Sequence, residues 1–208
     1  MKVELLRITK DAEKIIELAA RTCYDTRHRL YDRVTEKFLH NLMRAGHMSV
    51  FEHAWATFDI SGISRACSHQ LVRHRLATFS QRSQRYVREE GFDYITPPTI
   101  AGNEEAARLY HQTIGAVQKA YASLLSLNIP KEDARFLLPN ACATNLVMTA
   151  NFREWMHIFK LRLTHHAQWE IRELAARILK ILQKEAPIIF GMFKLNQDNV
   201  LVEPDVSV

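Results

Sequence analysis

The chain is poor in the features that would take it out of the ordinary soluble class. No apolar run approaches the roughly 18 to 20 residues a membrane-spanning helix needs, so no such helix is expected. Only three cysteines occur among 208 residues, Cys23, Cys67 and Cys142, widely spaced and without a Cys-x-x-Cys pair. That count argues against a disulfide framework or a thiolate zinc site and for a reducing, cytoplasmic setting. The opening Met1-Lys2-Val3-Glu4-Leu5-Leu6 is too short and too charged for a secretory signal. Internal repeats and low-complexity segments are missing. One absence is local: from Ile60 to Arg88 there is no lysine and no acidic residue, yet six arginines. A solvated basic face would mix lysine with arginine and add glutamate, whereas arginine alone suits bidentate recognition of phosphate or carboxylate.

The rest of the composition sets broad bounds. A content of 47% hydrophobic and 25% charged residues is that of a globular protein long enough to bury one sizeable core. A formal charge of +5 and a pI near 9.2 favour anionic partners, without separating a nucleotide from a nucleic acid. Lys2 to Thr9 reads as a strand, and Asp11 as the cap of a helix carrying Ile15, Ile16, Leu18 and Ala19. A second helix is expected from about Thr35 to Ala45. From His53 to Ile60, Trp55, Thr57 and Asp59 alternate with Ala54, Ala56, Phe58 and Ile60, the period of a strand. Ser64 is placed to cap a helix leading into the arginine segment. Pro97-Pro98 marks a loop or strand end, Asn103 starts a long helix to about Leu127, and Pro130 begins a short one. Ala141 to Ala150 is a further strand. Asn151-x-x-Glu154 has the form of a capping box for the next helix, and a last helix runs from about Ala167 to Glu185. Helices with two or three interspersed strands predict an α+β domain.

Three constellations could carry chemistry. Residues 73 to 85 read Arg-His-Arg-Leu-Ala-Thr-Phe-Ser-Gln-Arg-Ser-Gln-Arg, in which guanidinium groups, serine hydroxyls and amides could cradle a phosphate; an exposed basic surface or nucleic-acid stripe is the other reading. On the helix after Asn151, Arg153, His157 and Leu161 share one face, with Arg162 and His165-His166 following. That face could line a pocket for a flat cofactor, or Asn151 could simply cap, Arg153 stand in solvent and the histidines satisfy terminal carbonyls. In His47 to His53, two histidines flank Glu52 at a spacing that matches neither His-Glu-x-x-His nor a zinc finger, so a pocket edge or strand entry is expected there rather than a metal site. Arg135, close to Glu132 and Asp133, reads most simply as a helix ion pair.

Taken together and in this order, these residues resemble the flavin-dependent thymidylate synthases. The family's signature is Arg-His-Arg, seven residues, then Ser, met here as Arg73-His74-Arg75 and Ser83, with Arg85 following. Ser49-Val50-Phe51-Glu52-His53, Gln70, Arg135, Asn151-Phe152-Arg153 and His165-His166-Ala167-Gln168-Trp169-Glu170 also look like family segments. The resemblance spans roughly residues 1 to 190. It implies an α+β fold, an antiparallel sheet flanked by helices, in a single domain (1–208) that assembles as a homotetramer with sites shared between subunits. The implied reaction is reductive methylation of dUMP to dTMP. 5,10-Methylenetetrahydrofolate gives the carbon and leaves as tetrahydrofolate, and FAD recharged by NADPH gives the hydride.

Carried over by position, the resemblance assigns dUMP binding to Gln70, Arg73, Gln81, Arg82, Ser83, Arg85, Arg135 and Arg162. Arg162 is the expected catalytic residue, stabilising negative charge on the uracil ring so that C5 becomes the nucleophile and no enzyme thiolate is needed. FAD contacts fall to Ser49, Arg73, His74, Arg75, Gln81, Asn151, Arg153, His157 and His166, with His47 where flavin and folate stack. Neither a metal, a nucleic acid nor a membrane is an expected partner. Two positions depart from the family's common pattern. Gln81 stands where glutamate is frequent and so has no charge for a base role, and His157 stands where asparagine is frequent. Ser83 is read as a phosphate ligand rather than a nucleophile. The alternative function is a basic nucleic-acid-binding module, motivated by the pI and the arginine run. The Pro-Cys-His context of the cysteine-dependent thymidylate synthases is absent.

Overall fold

The computed structural model describes residues 1–30 and 34–202. Its main sheet is antiparallel and four-stranded, in the order β1-β2-β4-β3, formed by β1 (Lys2–Ile8), β2 (Trp55–Ser64), β3 (Thr78–Gln81) and β4 (Ala143–Asn151). The helices are α1 (Ala12–Cys23), α2 (Glu36–Arg44), α3 (Arg65–Leu71), α4 (Pro98–Ala101), α5 (Glu104–Ser126), α6 (Lys131–Ala134), α7 (Phe152–Arg162), α8 (Trp169–Glu185) and α9 (Pro187–Phe190). A short antiparallel hairpin, β5 (Lys194–Leu195) with β6 (Leu201–Val202), follows. The α+β expectation holds, with more strands than the two or three read from the sequence. The extra strand of the main sheet, β3, lies inside the arginine segment, which is therefore not all loop.

The alternation in β2 sorts as its period requires: Ala54, Ala56, Phe58 and Ile60 are buried while Trp55, Thr57 and Asp59 are more open. Two expected caps also form. Ser64 Oγ accepts from the Cys67 N–H at 2.9 Å, and Asn103 Oδ1 from the Ala106 N–H at 3.0 Å. Asp11 differs. It marks the start of α1, but with a left-handed backbone (φ 53°) and no side-chain cap bond. Its carbonyl takes the Ile15 N–H at 3.0 Å. Pro97-Pro98 is a helix start, since Pro97 caps α4 and Pro98 opens it, where a proline's missing N–H costs nothing.

The chain divides into two compact units, one of residues 1–2, 60–71 and 80–146, the other of 3–59, 72–79 and 147–208. In the first, α5 lays Ile114 against Phe92 and Cys142, and further along Tyr121 and Leu125 against Ala134. Gly62 is needed there: its φ is +67°, and a Cβ would stand 3.3 Å from the Met1 nitrogen. In the second, the core is aromatic. Trp155 meets Phe58 edge-on at 5.2 Å, and Phe152, Phe159, Phe190 and Phe193 pack as a group. The Glu13 carboxylate accepts from the N–H groups of Ile188 and Ile189 at 2.7 and 3.3 Å, so α1 caps α9.

Candidate active site

Helix α7 begins as its sequence requires. Asn151, at the end of β4, accepts the Glu154 N–H on Oδ1 at 2.8 Å. The capping box is nonetheless half used, because the Glu154 carboxylate turns elsewhere. One side of α7 carries Trp155, Met156, Ile158 and Phe159 into the core, leaving Arg153, His157 and Leu161 exposed on the other, as their spacing predicts. Ahead of β3, Arg73 and Arg75 are exposed while His74 between them is only 4% exposed. Both segments belong to the second unit, where Arg73, His74, Arg75 and Leu76 meet Arg153, Glu154, His157, Leu161 and Arg162 around a cavity of about 500 Å³.

The floor of this cavity is a three-residue chain of polar contacts. Arg162 donates its Nε–H to His74 Nε2 at 3.0 Å, and His74 Nδ1 lies 3.5 Å from Glu154 Oε1. A guanidinium only donates, so His74 Nε2 must be a bare acceptor and its proton must sit on Nδ1, facing the carboxylate. The imidazole is neutral near neutrality, since burial first, then the charges of Arg162 and His157, push its pKa down to about 4. Burial lifts the Glu154 carboxyl above its ordinary value, while His157 and Arg153 pull it back. His157 presents its ring edge-on to His74 at 6.0 Å. Arg153 is held by Glu52 at 2.5 Å, which ties the segment Ser49–His53 to α7.

The second group of expected site residues lies in the first unit. Gln81, at the end of β3, donates its amide to Ser68 Oγ at 2.9 Å and Thr144 Oγ1 at 3.2 Å. Arg82 pairs with the buried Glu89 at 3.0 Å, and Arg85 with Glu132 at 2.5 Å. Ser83 Oγ accepts the Arg85 N–H at 3.2 Å. Among the described residues no histidine hydrogen-bonds it. Arg135 is not the helix ion pair its neighbours suggest. Its Nε donates to the Glu132 carbonyl at 3.1 Å, because the Glu132 carboxylate is committed to Arg85. Gln70 Nε2 reaches the Ala66 carbonyl at 3.4 Å.

The cavity thus gathers Arg73, His74, Arg75, Arg153, His157 and Arg162 of the expected residues. Ser49, Asn151 and His166 are in the same unit but do not line it: Ser49 is exposed on a 3-10 turn, Asn151 is the cap, and His166 is exposed between α7 and α8. His47 is exposed beside Tyr24, Nε2 to hydroxyl 3.3 Å. The residues that sequence reasoning missed are the acids that hold the arginines, Glu52, Glu89 and Glu132, and above all Glu154. The sequence signal at Glu154 was its place three residues after Asn151, which points to a cap and conceals the contact with His74. Among the described residues no helix is long and apolar enough to cross a membrane.

Comparison with known proteins places the chain in a family. The family model described as thymidylate synthase complementing protein matches residues 4–188. A flavin-dependent thymidylate synthase of Geobacter sulfurreducens is 46% identical over 198 residues, covering 91% of this chain and 85% of the relative. One of Clostridium tetani is 39% identical over 212 residues with the same coverage, and one of Corynebacterium diphtheriae 36% identical over 201 residues, covering 88% and 80%. With a matching family model over most of its length and relatives of this identity, the chain belongs to the flavin-dependent thymidylate synthase family.

Proposed function

We propose that the chain methylates dUMP reductively to dTMP, taking the carbon from 5,10-methylenetetrahydrofolate, releasing tetrahydrofolate, and using NADPH to reduce FAD. The observation that carries the reading is Arg162, fixed through Nε by a neutral imidazole at the floor of an arginine-lined cavity. A guanidinium is a permanent cation, so one held beside uracil stabilises the negative charge that makes C5 nucleophilic. The route through an enzyme thiolate has little support. Cys67 and Cys142 are buried, and burial, followed by the charge of Glu89, pushes the Cys142 thiol up to about 12, while the exposed Cys23 does not line the cavity.

The cavity suits a dinucleotide. Arg73, Arg75 and Arg153 present cations to a pyrophosphate, and Leu76 and Leu161 offer apolar surface to a flat ring. These residues with His74 and His157 would hold FAD, with Ser49, Gln81, Asn151 and His166 as further contacts and His47 where flavin and folate stack. Bound there, FAD supplies the hydride. Gln70, Arg73, Gln81, Arg82, Ser83, Arg85 and Arg135, with Arg162, hold dUMP, and phosphate binding exchanges the carboxylates of Glu89 and Glu132 for the ligand on Arg82 and Arg85. We take residues 1–208 as one functional domain and four chains as the working assembly in the cytoplasm, a setting that the three free cysteines suit.

Fluorescence titration should show FAD binding, and dTMP should form from dUMP once folate and NADPH are added. Absence of FAD binding overturns the assignment. Arg162→Ala should lower turnover at least tenfold, about 1.4 kcal/mol of transition-state stabilisation, with FAD still bound; unchanged turnover removes Arg162 from catalysis.

A further inference from the structure

We propose that Glu154 is a positioning residue for Arg162, acting through His74: the carboxylate holds the imidazole proton on Nδ1 and so keeps Nε2 bare to receive the Arg162 Nε–H. The inference rests on the reading of Arg162 as the residue that activates uracil. Three observations carry it. Glu154 is at the third position of α7, where a glutamate commonly turns back to cap the helix, yet its carboxylate is buried against His74 instead. Asn151 makes its half of the capping box, accepting the Glu154 N–H at 2.8 Å, but among the described residues no bond returns from the Asn151 N–H to the Glu154 carboxylate. Finally, the two contacts of His74 need each other. An imidazole with its proton on Nε2 would set N–H against N–H toward Arg162 and leave a bare Nδ1 against a carboxylate.

Burying a carboxylate costs free energy that a helix cap in water would not. What the contact provides here is direction. An Nε–H bond fixes the plane of a guanidinium, and the plane decides where the remaining donors point. The neutral state of His74, promoted by its burial and by the charges of Arg162 and His157, is the state this arrangement requires. Of the charged or titratable groups around the imidazole, Arg162 and His157 on α7 favour that state, Arg73, Arg75 and Arg153 add further positive charge at the cavity wall, and the Glu154 carboxylate alone opposes it, with burial and Arg162 prevailing.

The test compares Glu154→Leu, which keeps volume but removes the acceptor, with Glu154→Gln, which keeps an acceptor oxygen. Glu154→Leu should lose at least tenfold in kcat while the Kd for FAD moves less than threefold, and Glu154→Gln should recover most of that loss. With His74→Ala already present, Glu154→Leu should cost less than a further twofold, because the pair acts in series. A readout without cofactor or turnover is the imidazole ¹⁵N spectrum of the cofactor-free protein, in which the His74 signals are those that His74→Ala removes. They should report Nδ1–H in the parent and a mixture of tautomers in Glu154→Leu. Full turnover in Glu154→Leu, losses that multiply independently, or an unchanged tautomer would overturn the proposal. If Glu154→Leu does not fold, the Glu154→Gln spectrum decides: a His74 no longer protonated on Nδ1 while kcat is intact overturns it, and retained Nδ1–H with retained kcat supports it. Should Arg162→Ala keep full turnover, the role of Arg162 falls, while the tautomer result still decides whether Glu154 sets His74.

Discussion

Single protons decide several of the residue identities in this protein. Ser68 donates its hydroxyl to the Arg65 carbonyl at 3.0 Å, so toward Gln81 its oxygen can only accept. Position 81 therefore needs a donor, and a glutamine amide supplies two, one for Ser68 and one for Thr144. A carboxylate has none near neutrality. Gln81→Glu should lower folding stability by about 1 kcal/mol, the worth of an ordinary hydrogen bond lost at this half-buried site, read as an earlier denaturant midpoint; an unmoved midpoint means that Ser68 simply turns its proton round. His74 gives a pH signature. Its folded pKa, about 4, lies below the ordinary 6.5, with burial the first cause and Arg162 and His157 following. The unfolded chain thus takes up the proton first as the pH falls. The stability that His74 contributes is complete above pH 6.5 and is lost toward pH 4, by up to roughly 3 kcal/mol. Glu154, facing Nδ1, is retained in His74→Gln, so the comparison between the two proteins isolates the imidazole. The parent should lose ground to His74→Gln between pH 7 and pH 4 in urea unfolding, and a constant gap would show that the imidazole titrates normally.

At the scale of elements, what the sequence discloses depends on how local the cause is. Caps and periodicity are local, and Ser64, Asn103, Asn151 and the alternation through β2 were readable for that reason. So was the face shared by Arg153, His157 and Leu161, because helical spacing alone brings them together. Strand β3 was hidden because Thr78–Gln81 is short and edge-placed, and its partner β4 lies more than sixty residues further along the chain. The segment after Glu185 was hidden for a related reason, since α9 owes its cap to Glu13 at the other end of the sequence. The site shows the same division. Its arginines were legible from an unusual composition, and the acids that hold them were not. Glu132 sits beside Arg135 in sequence and binds Arg85 in space; Glu154 sits where a cap belongs and faces His74. In each case the local interpretation was chemically sound, and a long-range partner competed for the same carboxylate and won.

At the scale of the whole molecule, the ligands outnumber the space a single cavity offers. A pocket of about 500 Å³ falls within the ~300–1,000 Å³ that holds one small-molecule ligand, while the proposed reaction gathers a dinucleotide, a nucleotide and a folate. Additional surface must be recruited, and the exposed apolar residues indicate where other copies could supply it. Phe136 is 85% exposed and Leu127 71%, with Ile129 and Leu137 also open in the same stretch. Tyr86, 71% exposed, is drawn beside α6 by the Lys131 ammonium, which donates to its carbonyl at 2.6 Å. Large side chains so open to water gain roughly 1.5–3 kcal/mol each on burial, and these stand beside Arg85 and Arg135, both assigned to dUMP. We therefore expect this surface to lie in a subunit interface. Sedimentation of the parent should give four times the 24.1 kDa chain mass. Phe136→Glu would place a charge in that interface, so it should shift the protein to smaller species and abolish dTMP formation in the same concentration range. If the variant keeps the parent's mass and rate, the apolar stretch is a free surface and the shared-site arrangement must be built elsewhere. If it dissociates but retains full turnover, one chain holds a complete site and the tetramer is not needed for chemistry.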